Sequence, residues 1–246
     1  MFQKFVFLLL LSMTVISCQF TETMVLNEDG SGRMSIEIDM GEMMAFGAMA
    51  PDSVTTKIDT LISMKQILEE KKDSIATLSI SEQEKMKKLE NYQIRMLMNS
   101  ETSELSLNLF SDFKSVEETN DIMDGFGDTS SYLPNMGADM NLNKDDSSAD
   151  VMGVSYHYKN GKFKRDAYIK SKEKHQAQVD SMKNAESWMG SMKYRLKYTF
   201  PRKIKKSSIK DATYSLDGKT IEVERSMVEY MKDPDVLDLE VDLEKQ

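Results

Sequence analysis

The stretch Gly32-Arg33-Met34-Ser35-Ile36-Glu37-Ile38-Asp39-Met40 decides the fold class. Met34, Ile36, Ile38 and Met40 fall on one side of an extended chain, and Arg33, Ser35, Glu37 and Asp39 on the other. Side chains alternate between the faces of a strand, so this two-residue period predicts one buried and one solvated face. Antiparallel sheets carry that pattern, whereas strands covered on both sides read as continuous apolar runs. Just upstream, residues 20–28 read as the partner strand. Glu28-Asp29-Gly30-Ser31-Gly32 supplies the turn, with glycine free to take positive φ.

The same pattern returns along the chain. Tyr92, Ile94, Met96 and Met98 alternate with Gln93, Arg95, Leu97 and Asn99, and after a break at 100–102 Leu105, Leu107 and Leu109 alternate again. Val151 to Tyr158 and Phe163 to Ile169 flank Lys159-Asn160-Gly161-Lys162, and Asn-Gly is the strongest short hairpin signal. Met192, Tyr194, Leu196, Tyr198 and Phe200 form a further strand that Pro201 ends. Ala212 to Leu216 and Thr220 to Arg225 make a hairpin across Asp217-Gly218, and a last strand spans Leu237 to Leu243 after Asp233-Pro234.

Helical spacing lies between these hairpins. Pro51-Asp52 open a long helical region in which Val54, Ile58, Leu61, Ile62, Met64 and Leu68 recur on one face. Ser81 with Glu84 makes a capping box for a helix carrying Met86 and Leu89. Asp112 caps a helix through about Met123, with Phe113, Val116 and Ile122 available for burial. Lys170 to Met189 reads as a charged helix with Ala177, Val179, Met182, Ala185 and Trp188 inward. Hairpins followed by helices predict an α+β fold: a mostly antiparallel sheet with helices packed on one face. Residues 125–150 turn abruptly to Gly, Ser, Asn and Asp, which predicts a long polar loop.

The first eighteen residues address the chain. Lys4 gives a positive start, Phe5 to Leu11 a short apolar core, and Val15-Ile16-Ser17-Cys18 ends it. About 20 apolar residues are needed to span a bilayer, so the run fits a secretory signal. Its last four residues resemble the bacterial lipobox: aliphatic, variable, small, cysteine. That resemblance implies a signal peptide over 1–17 and a lipid-modified Cys18 at the head of a single domain over 18–246. Cys18 is the sole cysteine, so no disulfide competes for it. Gln19 follows where Asp would favour the inner membrane of enterobacteria, which points to the outer membrane in an organism that has two.

The net charge of −9 repels polyanions at long range, which argues against a nucleic-acid partner. The expected partners are the membrane, through acylated Cys18, and a lipid or another envelope protein. Twenty-one methionines could supply adaptable apolar surface, notably in Gly41 to Ala50, though methionine also fills cores as leucine does.

Catalytic constellations are sparse. His157 and His175 stand apart from any metal-type spacing and read as solvent-facing. Gly153-Val154-Ser155-Tyr156-His157 lacks the second glycine of a nucleophile elbow, and Gly125-Phe126-Gly127 lacks the third glycine of a dinucleotide fingerprint. Asp139 to Asp150 spaces oxygen ligands as a calcium loop does, but Lys144 stands where the sharp turn needs glycine and Asp150 where glutamate closes the site. A solvated acidic loop is the expectation there, and no metal or cofactor is expected. The basic run Lys193 to Lys210 could meet anionic headgroups or balance acidic neighbours such as Glu222 and Glu224.

Asp29-Gly30-Ser31-Gly32 leading into the alternating strand and Asp39-Met40, together with Phe200-Pro201 and Ser215-Leu216-Asp217-Gly218-Lys219, resemble LppM-like bacterial lipoproteins. The resemblance implies an extracytoplasmic α+β domain with lipid or envelope-glycolipid binding, and it supplies no catalytic residues. The leading expectation is a non-enzymatic, lipid-anchored envelope protein that binds a hydrophobic ligand. The alternatives are an assembly accessory docked on another envelope protein and, last, an unrecognised hydrolase.

Overall fold

A computed structural model describes residues 19–45, 57–120, 122, 151–183 and 189–245. The expected polar loop at 125–150, Cys18 and Trp188 lie outside these residues. The fold is α+β. Strands β1 (Gln19–Leu26), β2 (Gly32–Asp39), β3 (Lys57–Ser63), β4 (Gln93–Asn99), β5 (Glu104–Phe113), β8 (Lys193–Thr199), β10 (Thr213–Tyr214) and β11 (Thr220–Ser226) form a large sheet in the order β10-β11-β8-β1-β2-β5-β4-β3. Strands β6 (Met152–Lys159), β7 (Lys162–Ile169), β9 (Ile204–Ser207) and β12 (Leu239–Leu243) form a small one, β6-β7-β12-β9. All pairings are antiparallel except β1 with β8.

The deciding strand behaves as its alternation requires. Met34 and Ile36 are buried, while Arg33, Glu37 and Asp39 are exposed. Met34 registers with Met24 and Ile36 with Leu109, so apolar side chains of neighbouring strands line one face. The small sheet covers part of that face. Phe163 meets Tyr198 and Phe200 edge-on at 5.4 and 5.3 Å. Two turns show why glycine sits where it does. A side chain at Gly32 would press within 2.1 Å of the Val25 carbonyl. At the β6–β7 tip, Asn160 and Gly161 take φ of 54° and 73°, a backbone twist that suits a tight hairpin.

Helices α1 (Gly41–Ala45), α2 (Met64–Glu70), α3 (Lys72–Ile75), α4 (Ile80–Lys88), α5 (Lys172–Met182) and α6 (Met227–Lys232) join two short 3-10 turns, Val116–Thr119 and Pro234–Leu237. Met64 and Ile67 of α2, with Leu89 and Tyr92 after α4, complete the core over Ile94, Leu107 and Leu109. The helical cover expected from the sequence is present, and a second sheet shares the work.

Three local expectations change. Residues 57–63 are an edge strand paired along β4, not the middle of a long helix. Ile58, Thr60 and Ile62 put β-branched side chains at a two-residue period, and β4 offers an open edge. The capping box lies two residues earlier, where the Ser79 hydroxyl accepts from the Glu82 N–H and the Glu82 carboxylate accepts from the Ser79 N–H. Asp112 stays in β5, facing Arg33 of β2 at 2.8 Å, and the next described element is the 3-10 turn Val116–Thr119. Phe113, Val116 and Ile122 are buried as expected.

Candidate functional site

Two places gather chemistry. The first lies between the sheets. Glu22 sits in the middle of β1 on its buried side, between Phe20 and Met24. Arg165 reaches it from β7, with Nη2 donating to Oε2 at 3.2 Å and Nε to Oε1 at 3.4 Å. The Arg165 Nη1 donates to the Leu237 carbonyl at 3.1 Å. Tyr156 of β6 donates to Glu22 Oε1 at 2.5 Å, Tyr194 of β8 donates to Oε2 at 2.6 Å, and the Tyr198 hydroxyl donates to Oε1. The side chains of Arg165 and Glu22 are 0% and 1% exposed.

Burial alone would push the Glu22 carboxyl up. The Arg165 charge and the hydrogen bonds from Arg165, Tyr156 and Tyr194 outweigh it and hold the group below its ordinary value. Burial likewise works against the charge on Arg165, and the facing carboxylate holds its pKa well above the usual range. Burial, then the Glu22 charge, push the phenols of Tyr156, Tyr194 and Tyr198 up. The result is an ionised pair ringed by neutral donors. With both charged side chains buried and both Glu22 oxygens engaged, the cluster fastens one sheet to the other.

The second place is open. A groove of about 550 Å³ runs between α2, α3 and α4. Leu68, Ile75, Ile80 and Met86 form its apolar lining, and Lys65, Glu69, Lys72, Glu84, Lys87 and Glu90 ring it with both signs of charge. Ile80 is 76% exposed, so this apolar surface is available to a visitor. Small-molecule sites typically occupy about 300–1,000 Å³ and are mostly apolar with a few polar groups.

Comparison with known proteins adds little. No protein-family model matches the chain, and no curated protein matches it. Among solved structures, the NMR structure of the folded domain of Mycobacterium tuberculosis LppM is similar at a TM-score of 0.40 and 8% identity, over 94% of this chain and 91% of that one. Likeness at that level transfers no residue and no activity.

The residues singled out from sequence scatter. Cys18 and the Asp139 to Asp150 stretch lie outside the described residues. His157 is exposed and meets Glu117 at 2.7 Å. His175, expected to face solvent, is buried, with Nε2 hydrogen-bonded to the Met231 carbonyl at 2.9 Å. The helix α6 packed there is what hides it. The basic strand is charge-balanced: Arg195 meets Glu224 at 2.9 Å and Lys197 meets Glu222 at 3.0 Å. Part of the Met-rich Gly41 to Ala50 segment is described as α1, next to the end of β2. Among the described residues no cluster of three or more His, Cys, Asp or Glu could hold a metal ion, and no helix is long and apolar enough to cross a membrane.

The sequence reading missed Glu22 and Arg165. A signal for both exists. Glu22 lies in phase with Phe20, Met24 and Leu26, and Arg165 in phase with Phe163 and Ala167. A charge on the apolar phase of a half-buried strand needs a partner. Two such charges of opposite sign are a candidate pair.

Proposed function

We propose that this chain is a lipid-anchored cell-envelope protein that performs no catalysis and holds a hydrophobic ligand in the groove of α2, α3 and α4. The observation that carries the reading is the junction at residue 18. The lipobox-like cysteine is followed directly by β1, an inner strand of the large sheet. Processing ahead of Cys18 would leave every described strand whole. The acyl chains would hold the protein to the outer membrane where two membranes exist, since Gln19 replaces the retaining Asp. One acyl chain anchors only marginally, and two or three anchor firmly.

The groove supports the ligand assignment by its size and exposed apolar lining. The core between the sheets is filled by Arg165, Phe163, Tyr198 and Phe200, so a ligand would use the open helical site. A second reading has the outer face of the large sheet docking on another envelope protein. It draws on the exposure of Arg33, Glu37 and Asp39 on that face. The charges there already pair with one another, which favours a solvated surface.

Metabolic labelling with palmitate tests the anchor. The expected result is label on the wild type, and none on Cys18→Ser, which moves to the soluble fraction. Native mass measurement tests the ligand. A co-purifying lipid that is lost on Leu68→Asp supports the groove, and lipid-free material from native membranes contradicts it.

A further inference from the structure

The absence of a spacer between Cys18 and the fold fixes more than attachment. Consecutive Cα atoms are about 3.8 Å apart, so an anchored Cys18 holds Gln19 at the headgroup surface. Gln19 is no tail. It pairs with Asp39 of β2 on one side and Lys193 of β8 on the other. The whole end of the large sheet must therefore follow it.

We infer that the strand-end rim around Gln19 rests on the bilayer and that the hairpin tips at the opposite end point away from it. This rests on the lipid-anchor reading above. Among the described residues the rim includes Asp39, Met40, Glu42, Met192, Lys193 and Met227. It is firmly tied. Met40 N–H donates to the Leu105 carbonyl at 2.8 Å, Gly41 N–H to the Asp39 carboxylate at 2.9 Å, and Met227 N–H to the Met192 carbonyl at 2.9 Å. A rim held this way moves with β1 as one piece.

Its chemistry suits a headgroup layer. Met40, Met192 and Met227 are half-buried at the mouth of the core, and unbranched thioethers adapt to irregular apolar surroundings. Asp39, Glu42 and Lys193 leave a single net negative charge, so a zwitterionic surface suffices and an anionic one is not required. Adjacent strands rotate by about 20–25°, so β3, four strands from β1, swings roughly 80–100° away. The contact therefore centres on β1, β2 and β8.

The opposite end is equally well defined. Arg202 meets Glu28 of the β1–β2 turn at 3.0 Å. The Gly161 carbonyl of the β6–β7 tip accepts from Leu243 N–H at 2.8 Å, and the Gly218 carbonyl of the β10–β11 turn accepts from Ile204 N–H at 2.8 Å. Asp29, Asn160 and Asp217 thus share one end. At about 3.4 Å per residue, the eight residues of β1 set that end roughly 25 Å above the rim.

The test uses the full, lipidated chain in phosphatidylcholine vesicles that contain a lipid with a nitroxide near its headgroup. Cys18 is blocked by its thioether, so a single introduced cysteine takes a fluorophore. Rim positions are probed by Glu42→Cys and Lys193→Cys, and far positions by Asp29→Cys, Asn160→Cys and Asp217→Cys. Circular dichroism and the urea midpoint confirm that each variant folds. The expected result is several-fold stronger quenching at the rim than at the far end. Equal quenching at all positions, or the reverse order, overturns the inference while leaving the anchor intact. Loss of palmitate label on Cys18 overturns the anchor itself and this inference with it.

Discussion

Strands β1 and β8 carry charge pairs in two settings. On the inner face Glu22 meets Arg165 at 3.2 Å, with neither side chain more than 1% exposed. On the outer face of β8 Arg195 meets Glu224 at 2.9 Å, with 37% and 42% exposed. The outer pair is the shorter, yet distance ranks the two wrongly. Exposed pairs contribute about 0–1 kcal/mol, because water already solvates both partners. Burying a pair costs several kcal/mol per ion, and breaking it by removing one partner costs about 3–5 kcal/mol. What separates the two is the ring of tyrosine hydroxyls and the Leu237 carbonyl, which replace water inside.

The contrast is broken most severely from the arginine side. Arg165→Met leaves the Glu22 charge buried without its cation, and chemical denaturation should show a loss of about 3–5 kcal/mol. Acid removes the same interaction with no change of side chain. The Glu22 pKa is depressed below 4.5 in the fold, so its contribution is complete above that value and is lost as pH falls through the depressed one. Urea midpoints should fall more steeply below about pH 4.5 in the wild type than in Arg165→Met.

Next comes the double variant. Glu22→Leu with Arg165→Met removes both charges, and its loss should fall short of the two singles combined by about 0.5–3 kcal/mol. Full additivity would mean the two groups act independently. Tyr198→Phe removes one donor from the carboxylate and should cost about 1–3 kcal/mol at neutral pH. The outer pair sets the floor. Arg195→Gln should change stability by less than about 1 kcal/mol, and the difference should shrink further at high salt. A larger effect there would erase the contrast between the two faces.

Much of this sheet was legible because a two-residue period is local. The alternation at Met34, Ile36 and Ile38 named the buried face of the large sheet, and Asn160-Gly161 named a hairpin tip of the small one. Edges were less legible. Ile58 and Ile62 satisfy a helical spacing as well as a strand one, and only the open side of β4 decides between them. Long-range pairing was not legible at all. Nothing around Lys193 says that β8 lies parallel to β1, because that choice depends on which edge is vacant after β2 pairs. The two sheets' division of strands has the same cause: β9 and β12 leave the large sheet for the small one with no local marker. The candidate groove was visible only as apolar residues on separate helices, since a concavity depends on how those helices meet.

The parallel pairing of β1 with β8 has a consequence for how the chain comes to exist. Its first strand finds one neighbour within a few residues, but Tyr194 and Glu22 are 172 positions apart. Closing a loop of that length brings a large entropy loss ahead of any reward, and such topologies mature slowly. A nascent chain shorter than about two hundred residues therefore carries β1 with one edge bare and a carboxylate waiting for its hydroxyls. Ribosome-arrested or truncated products should be sticky and protease-sensitive, and a holding chaperone would be needed until β8 arrives.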